Sequence, residues 1–267
     1  MRAALVGGYA GTWIDGRLLD GVALSDEHPP PYGGAGRPEA APGPRTLADG
    51  SPRFGARARM CAMTDYGQPL REQDAKGNPF GQFAVWFADA QTAGERMPEA
   101  VALATASPDA VPSVRMVLVK SFDENGFVFF SNHDSQKARE LAANPRAALV
   151  FHWDALGRQV RVSGPVEPAT AAETRDYVRS RPRASQLSAL ASPQSRVIDS
   201  RKALEQLVAE LRQRYGDGEL PVPSNWGGYR LAAQTFEFWQ QRHDRLHDRL
   251  SYRRVEPCGW AIERLAP

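Results

Sequence analysis

The sequence predicts a mainly β domain flanked by helices, built as an antiparallel barrel rather than a doubly wound sheet. Three observations lead there. Short strand-like runs outnumber helical stripes, tight-turn residues join several of them, and the 267 residues contain neither GxGxxG after a strand nor GxxxxGK[ST]. A 42% hydrophobic share suits a soluble globular chain, and no run approaches the ~18 apolar residues of a membrane span. With 33 Lys+Arg against 31 Asp+Glu the net charge is +2, too even for gripping nucleic acid by bulk charge. Two cysteines, Cys61 and Cys258, form neither a CxxC pair nor a disulfide framework, which points to a reducing cytoplasm.

The elements follow in order along the chain. Residues 1–62 hold 7 of the 21 prolines and 11 of the 23 glycines, so this segment is expected to be a disordered, low-complexity extension before a folded domain over 63–267. Arg2 and the apolar residues after it do not make a signal peptide, because Gly7-Gly8 ends the run too early. Asn78-Pro79 is a helix entry, and Phe80, Phe83, Phe87 and Ala90 with Trp86 form its buried stripe. Strands are expected at Ala100 to Thr105 and Val111 to Lys120, with an Asn125-Gly126 turn before Phe127-Val128-Phe129-Phe130. A short helix from about Ser135 to Asn144 stops at Pro145. Strands follow at Ala147 to Trp153 and Gln159 to Val166. Thr170 and Glu173 then cap a helix that carries Tyr177 and ends near Pro182. Leu204, Leu207, Val208 and Leu211 mark an amphipathic helix ending near Gly216, before strands at Tyr229 to Ala233, Thr235 to Gln240, Leu250 to Arg254 and Trp260 to Arg264.

Basic residues inside apolar or aromatic elements carry the chemical information. Arg115 and Lys120 bracket Met116-Val117-Leu118-Val119, and a cation in such a strand is costly without an anion, unless the strand is an edge facing water. Ser131 to Lys137 joins a strand to a helix start, where N–H groups, hydroxyls and a lysine suit a phosphate; a plain capped helix is the alternative. Arg179, Arg181 and Arg183 surround Pro182, with Tyr177 one turn earlier and Ser185 just after, and read either as a second anion pocket or as a charge-rich helix terminus. The densest cluster runs from Phe236 to Arg249. Its His243 and His247 have the spacing of a metal pair, but three arginines would repel a cation and no metal site is expected. No G-x-S-x-G elbow occurs.

The strand Phe236-Glu237-Phe238-Trp239-Gln240 followed by Arg245-Leu246-His247-Asp248-Arg249 resembles the signature of the pyridoxine (pyridoxamine) 5′-phosphate oxidases. Arg115 to Lys120, Ser180 to Gln186 and Pro223 to Gly228 resemble further blocks of that family in the same order, and the similarity runs from about Tyr66 to Pro267. The resemblance implies an FMN-binding split β-barrel of antiparallel Greek-key type that dimerises and holds FMN at the subunit interface. It implies that Arg115, Met116, Val117, Leu118, Val119, Lys120, Phe130, Ser131, Gln136, Lys137, Gln159, Gln194, Ser195, Trp226 and Arg249 surround FMN. Lys120, Tyr177, Arg181 and Ser185, with Arg245, Leu246 and His247, would hold the substrate, and Arg245 and His247 would assist catalysis.

The implied reaction is oxidation of pyridoxamine 5′-phosphate or pyridoxine 5′-phosphate to pyridoxal 5′-phosphate, with dioxygen as the final acceptor and hydrogen peroxide released. The cofactor would carry the redox chemistry and the protein the orientation. Two departures from the family pattern stand out. Gln136 occupies a position where many relatives have arginine beside the flavin phosphate, and Thr64-Asp65-Tyr66 only partly matches an Arg-rich segment. A non-catalytic FMN or pyridoxal-phosphate binding protein and a split-barrel flavin or deazaflavin reductase are the alternatives. The Arg-Leu-His-Asp-Arg loop speaks against both.

Overall fold

A computed structural model describes residues 68–257 and 259–267, with three two-residue strands, Ala3–Ala4, Trp13–Ile14 and Arg17–Leu18. The chain divides into two compact units, Met1–Gly21 with Tyr66–Pro267, and Val22–Asp65. The second unit, Cys61 and Cys258 lie outside the described residues, as does nearly all of the segment expected to be disordered.

Nine longer strands lie between Ala100 and Arg264. They are β1 (Ala100–Ala106), β2 (Pro112–Asp123), β3 (Gly126–Asn132), β4 (Arg146–Trp153), β5 (Arg158–Pro168), β6 (Trp226–Leu231), β7 (Thr235–Gln240), β8 (Asp248–Val255) and β9 (Gly259–Arg264). The order β5-β4-β1-β2-β3-β6 closes on itself through β5–β6 pairing, so six antiparallel strands make a barrel. Strands β1, β2 and β3 form consecutive hairpins and β4 returns beside β1, which is the Greek-key arrangement.

The split lies on β5. Its residues 158–163 pair with β7 and its residues 166–168 pair with β6, so β6 and β7 run in line along one edge. At the break, Ala232 N–H donates to the Pro165 carbonyl and Gln234 N–H to that of Ser163. Gly164 is required at this crossing, because a Cβ there would sit 1.9 Å from the Ala232 carbonyl oxygen. Beyond β7 the sheet continues through β8 to β9.

The core forms where helix α1 (Pro79–Thr92) meets the barrel. Asn78 Oδ1 accepts from Phe80 N–H at 2.9 Å and Pro79 opens the first turn, as the sequence predicts. The helix buries Phe80, Phe83, Trp86, Phe87 and Ala90. Phe83 meets Phe122, Phe127 and Phe151 edge-on at 4.8–4.9 Å, a favourable aromatic geometry. Interior residues such as Leu103, Phe129, Leu149 and Val160 complete the cluster.

Four further helices follow: α2 (Gln136–Ala143), α3 (Ala171–Ser180), α4 (Arg183–Ala191) and α5 (Arg201–Tyr215). Helix α3 carries the predicted Thr170/Glu173 capping box. Helix α4 was not expected, because Pro182 reads as a helix stop. It is also the residue from which a new helix starts, and the strain before a proline holds Arg181 extended between the two helices. The apolar stripe of α5 is at most half-buried within the chain. The hairpin turn between β2 and β3 is Glu124-Asn125, and Gly126 opens β3 at φ 132° against the Leu231 carbonyl.

Candidate active site

The first cluster of site residues gathers where β3 ends and α2 begins. Lys137 Nζ donates to Ser131 Oγ at 3.0 Å, Ser135 Oγ at 3.3 Å and Gln194 Oε1 at 2.8 Å. Ser135 is the N-cap of α2 but makes no side-chain cap bond, and the Ala138 N–H turns to the Ser135 carbonyl, which leaves the Gln136 and Lys137 N–H groups at the helix start to face an anion. Burial pushes the Lys137 ammonium down to about 8, helped by Arg115 and opposed by Glu140. Arg115 comes across from β2 and donates to the Leu103 carbonyl, Thr105, Ser113 and Glu140. Gln194 reaches the cluster from the segment after α4, next to Ser195 in the left-handed region at φ 67°.

A second cluster includes Lys120, further along β2 than Arg115. Lys120 is the extra residue of a β-bulge between Val119 and Ser121, which re-aims its side chain out of the ladder. Tyr177, on α3, stacks on Phe130 at 3.9 Å. Arg181 lies over the Trp226 ring at 4.5 Å and over Tyr177 at 5.8 Å. Its Nη1 is the buried side-chain nitrogen or oxygen that lacks a partner among the described residues. Burial lowers both the Lys120 and Arg181 cations, Arg181 also acts on Lys120, and Glu99 opposes the shift at Lys120. Burial likewise raises the Tyr177 phenol, with Arg181 opposing. Desolvated cations beside an unpaired N–H group make a seat for an anion.

The three arginines around Pro182 do not converge, contrary to one sequence reading. Arg179 pairs with Glu219 at 3.0 Å, and Arg183 donates to the Gly216 and Gly218 carbonyls. Of the three, Arg181 turns inward, over the Trp226 and Tyr177 rings. Ser185, in the first turn of α4, sits half-buried nearby in sequence. Trp226, expected at the flavin, lies against Arg181.

The third cluster occupies β5, β7 and β8. Trp239 stands opposite Gln159 on one side and Arg249 on the other, so the three side chains share a face. Arg249 Nε donates to Glu237 at 2.8 Å and Nη1 to the Ala266 carbonyl at 2.7 Å. His247 packs 4.6 Å from the Trp239 ring, and its Nδ1 accepts the Arg242 backbone N–H at 3.1 Å. Because a backbone N–H only donates, the proton of the neutral ring sits on Nε2. Arg245 is held at φ 62°, a conformation that costs a non-glycine residue energy and is concentrated at functional loops. Leu246 is exposed beside it.

Three residues escaped the sequence reading as site members: Glu140, Glu237 and Trp239. Glu140 could have been found as the acidic residue one turn after Gln136 on the same helical face. Trp239 stood within the quoted signature and needed only the cross-strand register to place it between Gln159 and Arg249. Arg115 on β2 and the β7 ladder are separated by β1, β4 and β5, about 19 Å around the sheet at the usual strand spacing.

Fold and clusters define a split β-barrel protein with paired cationic seats. Residues 74–215 match the family described as pyridoxamine 5′-phosphate oxidase, and residues 226–267 match the pyridoxine 5′-phosphate oxidase C-terminal dimerisation region. The chain belongs to the pyridoxamine 5′-phosphate oxidase family. It is 50% identical over 194 residues to the pyridoxine/pyridoxamine 5′-phosphate oxidase of Gluconobacter oxydans, covering 73% of this chain and 96% of that one. The chloroplastic enzyme of Arabidopsis thaliana is 49% identical over 202 residues, 74% of this chain and 38% of that longer protein. Among solved structures, PhzG from Burkholderia lata 383 in complex with tetrahydrophenazine-1-carboxylic acid superposes with a TM-score of 0.70. It is 33% identical and covers 76% of this chain and 96% of that one.

Proposed function

We infer that this chain is an FMN-dependent oxidase that converts pyridoxamine 5′-phosphate and pyridoxine 5′-phosphate to pyridoxal 5′-phosphate. Dioxygen is reduced to hydrogen peroxide, and water is consumed and ammonia released when the substrate is the amine. The observation that carries this reading is the buried Nη1 of Arg181, without a partner among the described residues and beside Lys120, a seat that a phosphate monoester satisfies. A second phosphate fits the Lys137, Ser131 and α2 N-terminal cluster, in keeping with one phosphate on the cofactor and one on the substrate.

FMN, when bound, supplies the hydride acceptor at the substrate 4′ carbon and the route to dioxygen. Everything else falls to side chains of this chain. Arg115, Ser131, Gln136, Lys137, Gln194 and Ser195 hold the cofactor phosphate end, while Met116 to Val119 lie along the same strand as Arg115. Lys120, Tyr177, Arg181 and Ser185 hold the substrate phosphate, so that binding energy remote from the reacting carbon orients it. His247, with its proton on Nε2, offers a donor to the substrate, and Arg245 covers the reacting face.

Gln159, Trp239, Arg245, His247 and Arg249 reach that site from the second copy of a homodimer. The matched dimerisation region contains four of these five residues. The outer face of β2 leaves Val114 and Met116 69% and 65% exposed, an apolar surface for that copy to cover. Among the described residues no helix is long and apolar enough to cross a membrane. A cytoplasmic location accords with two cysteines and no CxxC pair. The test is oxygen uptake by the purified, flavin-loaded protein on pyridoxine 5′-phosphate. Bound flavin without uptake on either phosphate would sink the oxidase reading and leave a binding protein.

A further inference from the structure

The cofactor-phosphate cluster contains a carboxylate that the reading above gives no role. Glu140 is 8% exposed, one helical turn beyond Gln136. Its Oε2 accepts from Thr105 Oγ1, from Ser113 Oγ at 2.6 Å and from Arg115 Nη2 at 3.1 Å, and its Oε1 accepts from Gln136 Nε2 at 2.9 Å. Burial alone would raise this carboxyl, yet the hydrogen bonds from Ser113, Thr105, Gln136 and Arg115 hold it at about 2, so it is ionised at every working pH.

The consequence for Arg115 is specific. Both Nη atoms are engaged by protein acceptors: Nη1 by the Leu103 carbonyl and Thr105, Nη2 by Ser113 and Glu140. The guanidinium is fixed in place, and its charge is cancelled locally by a carboxylate 3.1 Å away. Gln136 contributes no charge, and its amide is tied to the same carboxylate. Lys137 is different, for its three acceptors, Ser131, Ser135 and Gln194, are all neutral. The charged groups that face it are Arg115 from β2 and Glu140 from its own helix. The end of β3 and the segment after α4 offer only the neutral Ser131 and Gln194.

We propose that Glu140 is a positioning residue that sets the charge of the cofactor-phosphate seat: it anchors Arg115 and Gln136, offsets the charge of Arg115, and leaves Lys137 as the seat's uncompensated cation. This rests on the FMN reading above. The seat then carries one net positive charge while Lys137 is protonated and none once it is not. Since burial brings the Lys137 ammonium down to about 8, and a bound dianion favours the protonated form, affinity is greatest below that pH and falls above it. Glu140→Gln keeps an acceptor for Arg115 and removes the opposing charge, so Arg115 becomes an effective cation at all pH values.

The experiment follows FMN release from the full-length holoprotein by the recovery of flavin fluorescence on dilution, between about pH 6.5 and 9.5. The wild type should release FMN more readily above about pH 8. Glu140→Gln should hold FMN about 3–10-fold more tightly, with the larger gain at alkaline pH, the size expected for removing a like charge from a partly solvated site. Glu140→Ala, which frees Arg115 to move, should hold it less tightly than Glu140→Gln. Lys137→Gln should bind weakly with no alkaline loss, a comparison that stands even where a Glu140 variant folds poorly. Flavin bound more weakly by Glu140→Gln with an unaltered pH profile, or an alkaline loss that survives in Lys137→Gln, would overturn this assignment alone. A protein that binds no flavin at any pH would overturn the cofactor reading and this assignment together.

Discussion

Arg181→Met separates what the substrate seat does for stability from what it does for binding. Arg181 is a desolvated cation whose Nη1 has no partner among the described residues, an arrangement that costs energy. The stacking on Trp226 at 4.5 Å returns part of that, about 0.5–2 kcal/mol for a cation over an aromatic face. Methionine is of similar length and keeps an apolar contact with the indole, so the thermal midpoint should stay level or rise. Substrate binding should suffer instead. Charge-assisted hydrogen bonds contribute about 1.5–3 kcal/mol each. Losing about 2–3 kcal/mol corresponds to about a 30–150-fold rise in KM. Oxygen uptake by FMN-saturated enzyme measures this, with pyridoxine 5′-phosphate as substrate and phosphate-free pyridoxine as the control. The wild type should strongly prefer the phosphorylated compound and the variant should lose most of that preference. An unchanged KM for the phosphate ester, or an equal loss on both compounds, would refute the assignment of Arg181 to the phosphate.

Further expectations can be checked alongside it. Gln136→Arg adds a cation beside Glu140 and should slow FMN release several-fold on dilution; release at the wild-type rate would show that position 136 does not feel the phosphate. Replacing Arg245 or His247 by alanine should cut turnover about 100–10,000-fold, the size of a lost general acid–base group, while flavin content stays at the wild-type level. Equal loss of flavin and turnover would make the loop structural. Burial holds the Tyr252 phenol up at about 12, with its hydroxyl donating to the Lys76 carbonyl at 2.9 Å. A folded value above the unfolded one gives stability that is complete below about pH 10 and lost as pH climbs toward 12. Tyr252→Phe should therefore flatten the alkaline fall in urea midpoints across that window, and an unaltered slope would point to another group.

Much of the architecture was legible because it is local. The α1 stripe, the Thr170/Glu173 capping box and the strand run from Thr235 to Gln240 each follow from spacing within a dozen residues, and all three stand in the structure. Where the reading fell short, a distant partner decided. Pro182 ends one helix and begins another, a choice that packing makes and local propensity does not. The stripe on α5 has helical spacing, yet no residue of that helix is fully buried in the chain. The positions carrying the oxidase signature were equally legible, since they are contiguous blocks, but their roles were not.

By itself the sequence determined the class of fold, the family and the list of charged groups concerned with anions, because periodicity, turn residues and motif spacing are properties of neighbours along a chain. Tertiary structure alone decided which cations are available. Arg179, Arg181 and Arg183 are chemically alike, but two reach surface acceptors and one is turned into a desolvated seat. Arg115 and Lys137 carry the same formal charge, but a carboxylate from a neighbouring helix cancels only the first. The effective charge of a side chain depends on what lies within a few ångströms of it in space, and those neighbours are set by strand register and helix packing.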